Sequence, residues 1–208
     1  MIDETNLKAL RLALGGEIES SRYQHTLGVE KEIRELACFF LPERETEAAA
    51  AALLHDLTRA WSTEEHLAFC IEHDISVTEE ERKIPALLHA KTAVGLIPLR
   101  YPQFASEDVL TAIRKHTVAD AQMSVFESLL FIADFTEEGR HYASCQAVRN
   151  MLHEEMAKAT KDKNALLRRV LLAICDASLE ALQRLERPVA SATVEFREAL
   201  LGNHRYFS

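Results

Sequence analysis

Residues 48–61 read AAAAALLHDLTRAW. Alanine and leucine are strong helix formers, so the run is a helix, and it closes on an adjacent His55–Asp56 pair. A neutral imidazole and a carboxylate side by side can both ligate a divalent cation. A carboxylate is rarely buried without a partner. Taken alone, the pair reads as an ordinary helix C-terminus with a capping histidine and a surface aspartate. Its company changes that reading: His25, His89, His116 and Asp134 each end or punctuate an apolar helical stretch elsewhere.

On the N-terminal side, Leu7, Leu10 and Leu14 make a short amphipathic helix that is expected to stop at Gly15–Gly16. From about Glu17 to Leu41, His25 shares one helical face with Val29, Ile33, Leu36, Ala37 and Phe40. Arg22 lies one turn before His25 on the same side. On the C-terminal side, Arg59 follows the His–Asp pair by one turn. Ser62 with Glu65, Thr78 with Glu81 and Ser124 with Glu127 are capping boxes that open further helices. His66 and His73 lie among charged residues and read as surface histidines. His89 begins an apolar run through Leu99, and His116 shares a face with Val109, Ala112 and Ile113. Asp134 falls in phase with Phe126, Leu130 and Ala133, where an unpaired aspartate is strongly unfavourable and one holding a metal or an arginine is not. Further helices span about 144–158, 164–185 and 194–201. With no period-2 alternation, repeat or linker, the chain reads as one all-α domain, residues 1–208, of roughly nine helices.

Composition sets bounds. The chain has 208 residues, 48% hydrophobic, with only 6 Gly and 5 Pro, enough for one domain with a sizeable core. Its net charge of −9 argues against a nucleic-acid or membrane-surface partner. It leaves room for a small anionic substrate, since a bound metal inverts the local field. No apolar run is long enough to span a membrane, and the N-terminus has no basic region followed by an apolar one. Cys38, Cys70, Cys145 and Cys175 form no CxxC pair. They suit reduced thiols of a cytoplasmic protein.

Every member of the set His25, His55–Asp56, His89, His116 and Asp134 sits in helical phase with core residues, so all can converge inside a bundle. Nitrogen and carboxylate donors without thiolate suit iron, manganese or cobalt, and zinc less specifically. Six residues are more than one ion normally needs. With Asp56 bridging they could hold two, an arrangement that clamps an in-line phosphoryl displacement.

The order His25…His55–Asp56…Asp134 resembles the HD superfamily of metal-dependent phosphohydrolases. More narrowly, the strings SRYQHTLGV, AALLHDLTR, ALLHAKTA, AIRKHT, MSVFESLLFIAD and EEGR resemble the YqeK family, bacterial symmetrical diadenosine tetraphosphatases. The resemblance runs from about 21 to 149 and continues more weakly to 201, the last helices packing on that core. It implies an HD-type helical bundle that cleaves diadenosine tetraphosphate to two ADP with metal-activated water. It implies that His25, His55, Asp56 and Asp134 are metal ligands. His89 and His116 match positions that bind a second metal or the substrate phosphates. Arg22, Arg59, Thr117 and Arg140 match positions that contact the nucleotide. Asp56, with His55, is the expected catalytic residue, the metal is expected to be iron, with manganese or cobalt as alternatives, and a homodimer is the oligomer considered. The family usually has lysine at Arg59, glycine at Ala90 and Ala119, and proline at Glu138, so the nucleotide pocket is where this chain departs.

Three rival readings remain at this point. One is an HD phosphohydrolase acting on another nucleotide, a nucleoside mono- or triphosphate or an alarmone, motivated by the altered loop 118–122. Another is a metal- and nucleotide-binding sensor with little turnover, against which the complete ligand set argues. A helical di-iron oxygenase ranks last, because the chain lacks Glu-x-x-His pairs on two helices.

Overall fold

A computed structural model describes residues 2–202 and 207. Among these the chain forms eleven α-helices, three short 3-10 turns and no strand, close to the roughly nine helices expected.

The organising element is the alanine run. Helix α3, Glu45–Leu54, comes after α1, Glu4–Glu17, and α2, Ser20–Phe40. Ala48 to Ala52 and Leu54 are fully buried, and Leu53 is 1% exposed. A helix apolar on every side must be enclosed, and methyl side chains let its neighbours approach closely. Those neighbours are α1, α2, α7, Glu107–Lys115, and α8, Val125–Thr136. Between α3 and α7 lie α4, Thr63–Glu72, the five-residue α5, Glu79–Lys83, and α6, Leu88–Arg100. After α8 come α9, Ala143–Ala157, α10, Lys163–Arg184, and α11, Ser191–Gly202. Helix α10 packs on α8, α9 and α11, and one hydrophobic core runs from Leu7 in α1 to Leu200 in α11.

The helix starts follow the capping chemistry. Ser62, Thr78 and Ser124 form complete capping boxes with Glu65, Glu81 and Glu127, and the Ser106 side chain caps α7. Two expectations fail. Helix α1 runs through Gly15 and Gly16 to Glu17, because Leu14 is fully buried and helical packing outweighs about 1 kcal/mol of glycine propensity per residue. His66 is not a surface histidine. It is 4% exposed and bonded through Nδ1 to the Thr92 hydroxyl at 2.8 Å. His73, by contrast, is exposed.

Candidate metal centre

The residues singled out above meet where five helices converge. His25 comes from within α2, and His55 follows the last residue of α3, with Asp56 next in the turn. His89 is the second residue of α6, His116 follows the last of α7, and Asp134 lies in the last turn of α8. Helix ends leave backbone carbonyls and amides without intrahelical partners, and three of the imidazoles use that fact identically. His55, His89 and His116 each place Nδ1 2.6 Å from the carbonyl oxygen three residues earlier, in Ala52, Ala86 and Ile113. A carbonyl only accepts, so each Nδ1 carries the proton and donates it. Each Nε2 is left with a lone pair aimed into the site, the tautomer a metal ligand needs.

His25 reaches the same state differently. Its Nδ1 lies 3.1 Å from Glu137 Oε1, a carboxylate in the turn after α8. Glu137 is 3% exposed and accepts a second hydrogen bond from the Gly139 amide at 2.6 Å. The space is tight: a Cβ on Gly28 would stand 2.4 Å from Glu137 Oε2, and one on Gly139 2.9 Å from it. Sequence reading missed Glu137 as a site residue. It lies past the end of α8, where helical periodicity no longer says which way a side chain points.

Asp56 is the centre of the arrangement, and it divides. Its Oδ2 is 3.6 Å from His55 Nε2 and 3.9 Å from His25 Nε2. Its Oδ1 is 3.3 Å from His89 Nε2 and 3.8 Å from His116 Nε2. Asp134 Oδ1 closes the first group, 3.0 Å from His25 Nε2 and 3.9 Å from His55 Nε2. The donor atoms of His25, His55 and Asp134 thus lie within 4.8 Å of one another, as do those of His55, Asp56 and His116. The buried Nε2 atoms of His25 and His55 have no hydrogen-bond partner. At 3.0 Å, His25 Nε2 and Asp134 Oδ1 need a positive charge between them, a proton on the imidazole or a bound cation. Four imidazole nitrogens and two carboxylates with no thiolate fit a borderline-hard divalent cation, and the orphaned nitrogens are where it would be held.

The electrostatics carry the same demand. Burial resists charge on Asp56, yet the neighbouring His55 and His116 hold its carboxyl well below the usual range. Asp134 is lowered against burial too, by His25 and His55. Burial also pulls His25 down, but the Asp134 and Glu137 carboxylates beside its two nitrogens outweigh that and raise it to about 9. His89, buried and beside His116, falls to about 3, and burial lowers His55. Two ionised carboxylates in a nearly dry site require positive charge, here from protons and arginines.

The flanking residues sort clearly. Arg22 Nη1 is 3.1 Å from Asp56 Oδ2. Arg140 donates to Asp134 Oδ1 at 2.7 Å and to the Asp134 carbonyl at 3.1 Å, so it faces the centre rather than pairing on the surface with Glu137 or Glu138. Thr117 Oγ1 is 3.3 Å from both His89 Nε2 and His116 Nε2. Arg59 is half-buried and within electrostatic reach of His89. Among the described residues its side chain makes no ion pair.

Comparison with known proteins is consistent with this geometry. The HD domain family matches residues 22–179. A symmetrical bis(5'-nucleosyl)-tetraphosphatase of Halalkalibacterium halodurans is 29% identical over 149 residues, covering 72% of this chain and 78% of that protein. The protein of the same name from Bacillus subtilis is 28% identical, covering 69% and 75%. A solved structure from Clostridium acetobutylicum, described as a predicted HD superfamily hydrolase involved in NAD metabolism, superposes with a TM-score of 0.81. It is 26% identical and covers 94% of this chain and 96% of that one.

Proposed function

The chain belongs to the HD domain family, and from that premise we propose that this metal-dependent phosphohydrolase cleaves diadenosine tetraphosphate symmetrically to two ADP. The observation that carries the reading is the division of Asp56, one oxygen toward His25 and His55 and the other toward His89 and His116. That division gives room for one or two cations on either side of a single carboxylate, and the relatives named above supply the substrate class.

In this reading His25, His55, Asp56 and Asp134 are the principal ligands and His89 and His116 complete the second half. A divalent cation held there, iron or alternatively manganese or cobalt, would acidify water and neutralise phosphoryl oxygens. The protein does the rest. The Ala52, Ala86 and Ile113 carbonyls keep three imidazoles in the ligating tautomer. Asp56 is ionised and central, placed to orient an attacking water and accept its proton. Arg22 and Arg140 stand on the two carboxylates at 3.1 and 2.7 Å. Their guanidinium groups can meet successive phosphates of a polyanionic chain with paired hydrogen bonds. Arg59, without an ion-pair partner among the described residues, and Thr117 extend that surface toward the nucleotide. We read residues 1–208 as one domain, which the continuous core from α1 to α11 supports.

The test is product analysis. The purified chain, loaded in turn with Fe²⁺, Mn²⁺ and Co²⁺, is incubated with diadenosine tetraphosphate and with a panel of nucleoside mono- and triphosphates. ADP as sole product from the dinucleotide, lost in Asp56→Ala along with bound metal, is expected. ATP plus AMP, or faster turnover of a mononucleotide, would move the activity to another HD phosphohydrolase. Binding without turnover would make the chain a sensor.

A further inference from the structure

Arg149 lies in α9 and is none of the six candidate ligands. Its side chain is half-buried and takes no carboxylate partner among the described residues. Its donors go to backbone: Nε to the Thr136 carbonyl, and Nη2 to the carbonyls of Glu137 and of Arg140, the last at 2.9 Å. These three carbonyls bracket the turn that leaves α8. The negative end of a helix dipole and its unpartnered carbonyls are a favourable place for a cation. A guanidinium spreads its donors over separate nitrogens in one rigid plane, whereas an ammonium offers its three from a single point.

The turn so clamped carries two side chains of the centre. Glu137 fixes His25 through Nδ1, and Arg140 fixes Asp134. The two point into the site from opposite ends of the turn, and the Arg140 amide donates to the Glu137 carbonyl across it at 3.0 Å. Moving the turn would therefore disturb two of the three ligands of the first group at once, His25 and Asp134. We propose that Arg149 is a positioning residue for the metal centre, acting through the 137–140 turn on His25 and Asp134. The inference rests on the assignment of those residues as metal ligands.

The experiment is a Mn²⁺ titration of the full-length chain, with circular dichroism confirming the fold of each variant. Arg149→Met keeps the aliphatic bulk and removes every donor. It is expected to weaken Mn²⁺ binding by about tenfold or more, the usual effect of losing an outer-sphere support. Placed in a Glu137→Gln background, it should add clearly less than its effect in the wild type, because the arm from the turn through Glu137 to His25 is already lost and only the Arg140–Asp134 arm remains. Wild-type Mn²⁺ affinity in folded Arg149→Met, or a full second loss in the double variant, overturns the inference. If Arg149→Met does not fold, Arg149→Lys is read instead. It keeps the charge but not the fork, and wild-type affinity in it likewise overturns the proposal. A wild-type chain that binds no Mn²⁺, Fe²⁺ or Co²⁺ would defeat the metal-centre reading and this inference with it. The choice of nucleotide substrate does not enter the titration.

Discussion

Gly28 is the residue at which opposing effects meet most directly. It lies mid-helix in α2, where replacing glycine by alanine stabilises a helix by about 1 kcal/mol. The added methyl would stand 2.4 Å from Glu137 Oε2, an end that cannot swing aside without breaking its bonds to His25 and Gly139. Gly28→Ala is therefore expected to lower the melting temperature, since the broken bonds of a buried carboxylate outweigh the helix gain, and to lower metal affinity by about 10–100-fold, the range for a lost outer-sphere partner. Calorimetry and metal analysis on one preparation check both halves. A variant that holds metal as the wild type does would show that Glu137 relaxes freely. The same residues mark how far sequence reading reached. His25, His55, His89, His116 and Asp134 were legible because a period of 3.6 tells which face of a helix is buried. Glu137 and the glycines around it were not, since their importance is a contact between α2 and a turn more than a hundred positions away, with no local pattern to carry it. His66 misled for a related reason: its sequence neighbours are charged, and only the packing of α4 on α6 brings it to Thr92.

At the scale of elements, helix ends do much of the positioning. Three of four imidazoles sit at helix termini and bond a carbonyl three residues back, so the fold sets ligand tautomer and direction by where helices stop. Apolar phase placed these histidines on buried faces, but the stops at Leu54 and Lys115 had no local signal, since the capping boxes open α4, α5 and α8 instead. The failure at Gly15–Gly16 came from weighing a local propensity above burial of Leu14. The connection from α7 to α8 has its own constraint. Ala119 adopts φ 63°, the left-handed region, although it carries a Cβ, and a side chain there costs about 1–2 kcal/mol. Ala119→Gly is expected to lie within about 1 kcal/mol of the wild type, strain relief offsetting the entropy of glycine. Ala119→Val should lose about 1–3 kcal/mol, because a β-branched side chain at positive φ is severely strained. Urea denaturation of the two variants decides it, and a valine variant as stable as the glycine one would contradict the backbone assignment.

For the molecule as a whole, the centre joins α2, α3, α6, α7 and α8 through side chains of His25, His55, Asp56, His89, His116 and Asp134. A cation bound only by the folded chain stabilises all of it by mass action, about 2.7 kcal/mol at a hundredfold excess over the dissociation constant. For a chain of this size that corresponds to a rise in melting temperature of about 5–10 °C. Differential scanning calorimetry before and after chelation measures it, and an unchanged transition in a sample shown to have lost its metal would count against a centre tying five helices together. The alanine helix α3 gives this a time dimension. Wrapped on all sides, its amides have no local route to solvent, so hydrogen exchange there must wait for the whole fold to open, whereas α11, with both Leu201 and Val194 exposed, can fray alone. Loading the cation should therefore slow exchange in a peptide covering residues 48–56 by the full factor that its global stabilisation dictates. It should leave the exchange of residues 194–202 nearly unchanged. In kinetic terms, the segment that presents His55 and Asp56 would be the last part of the chain to open to water.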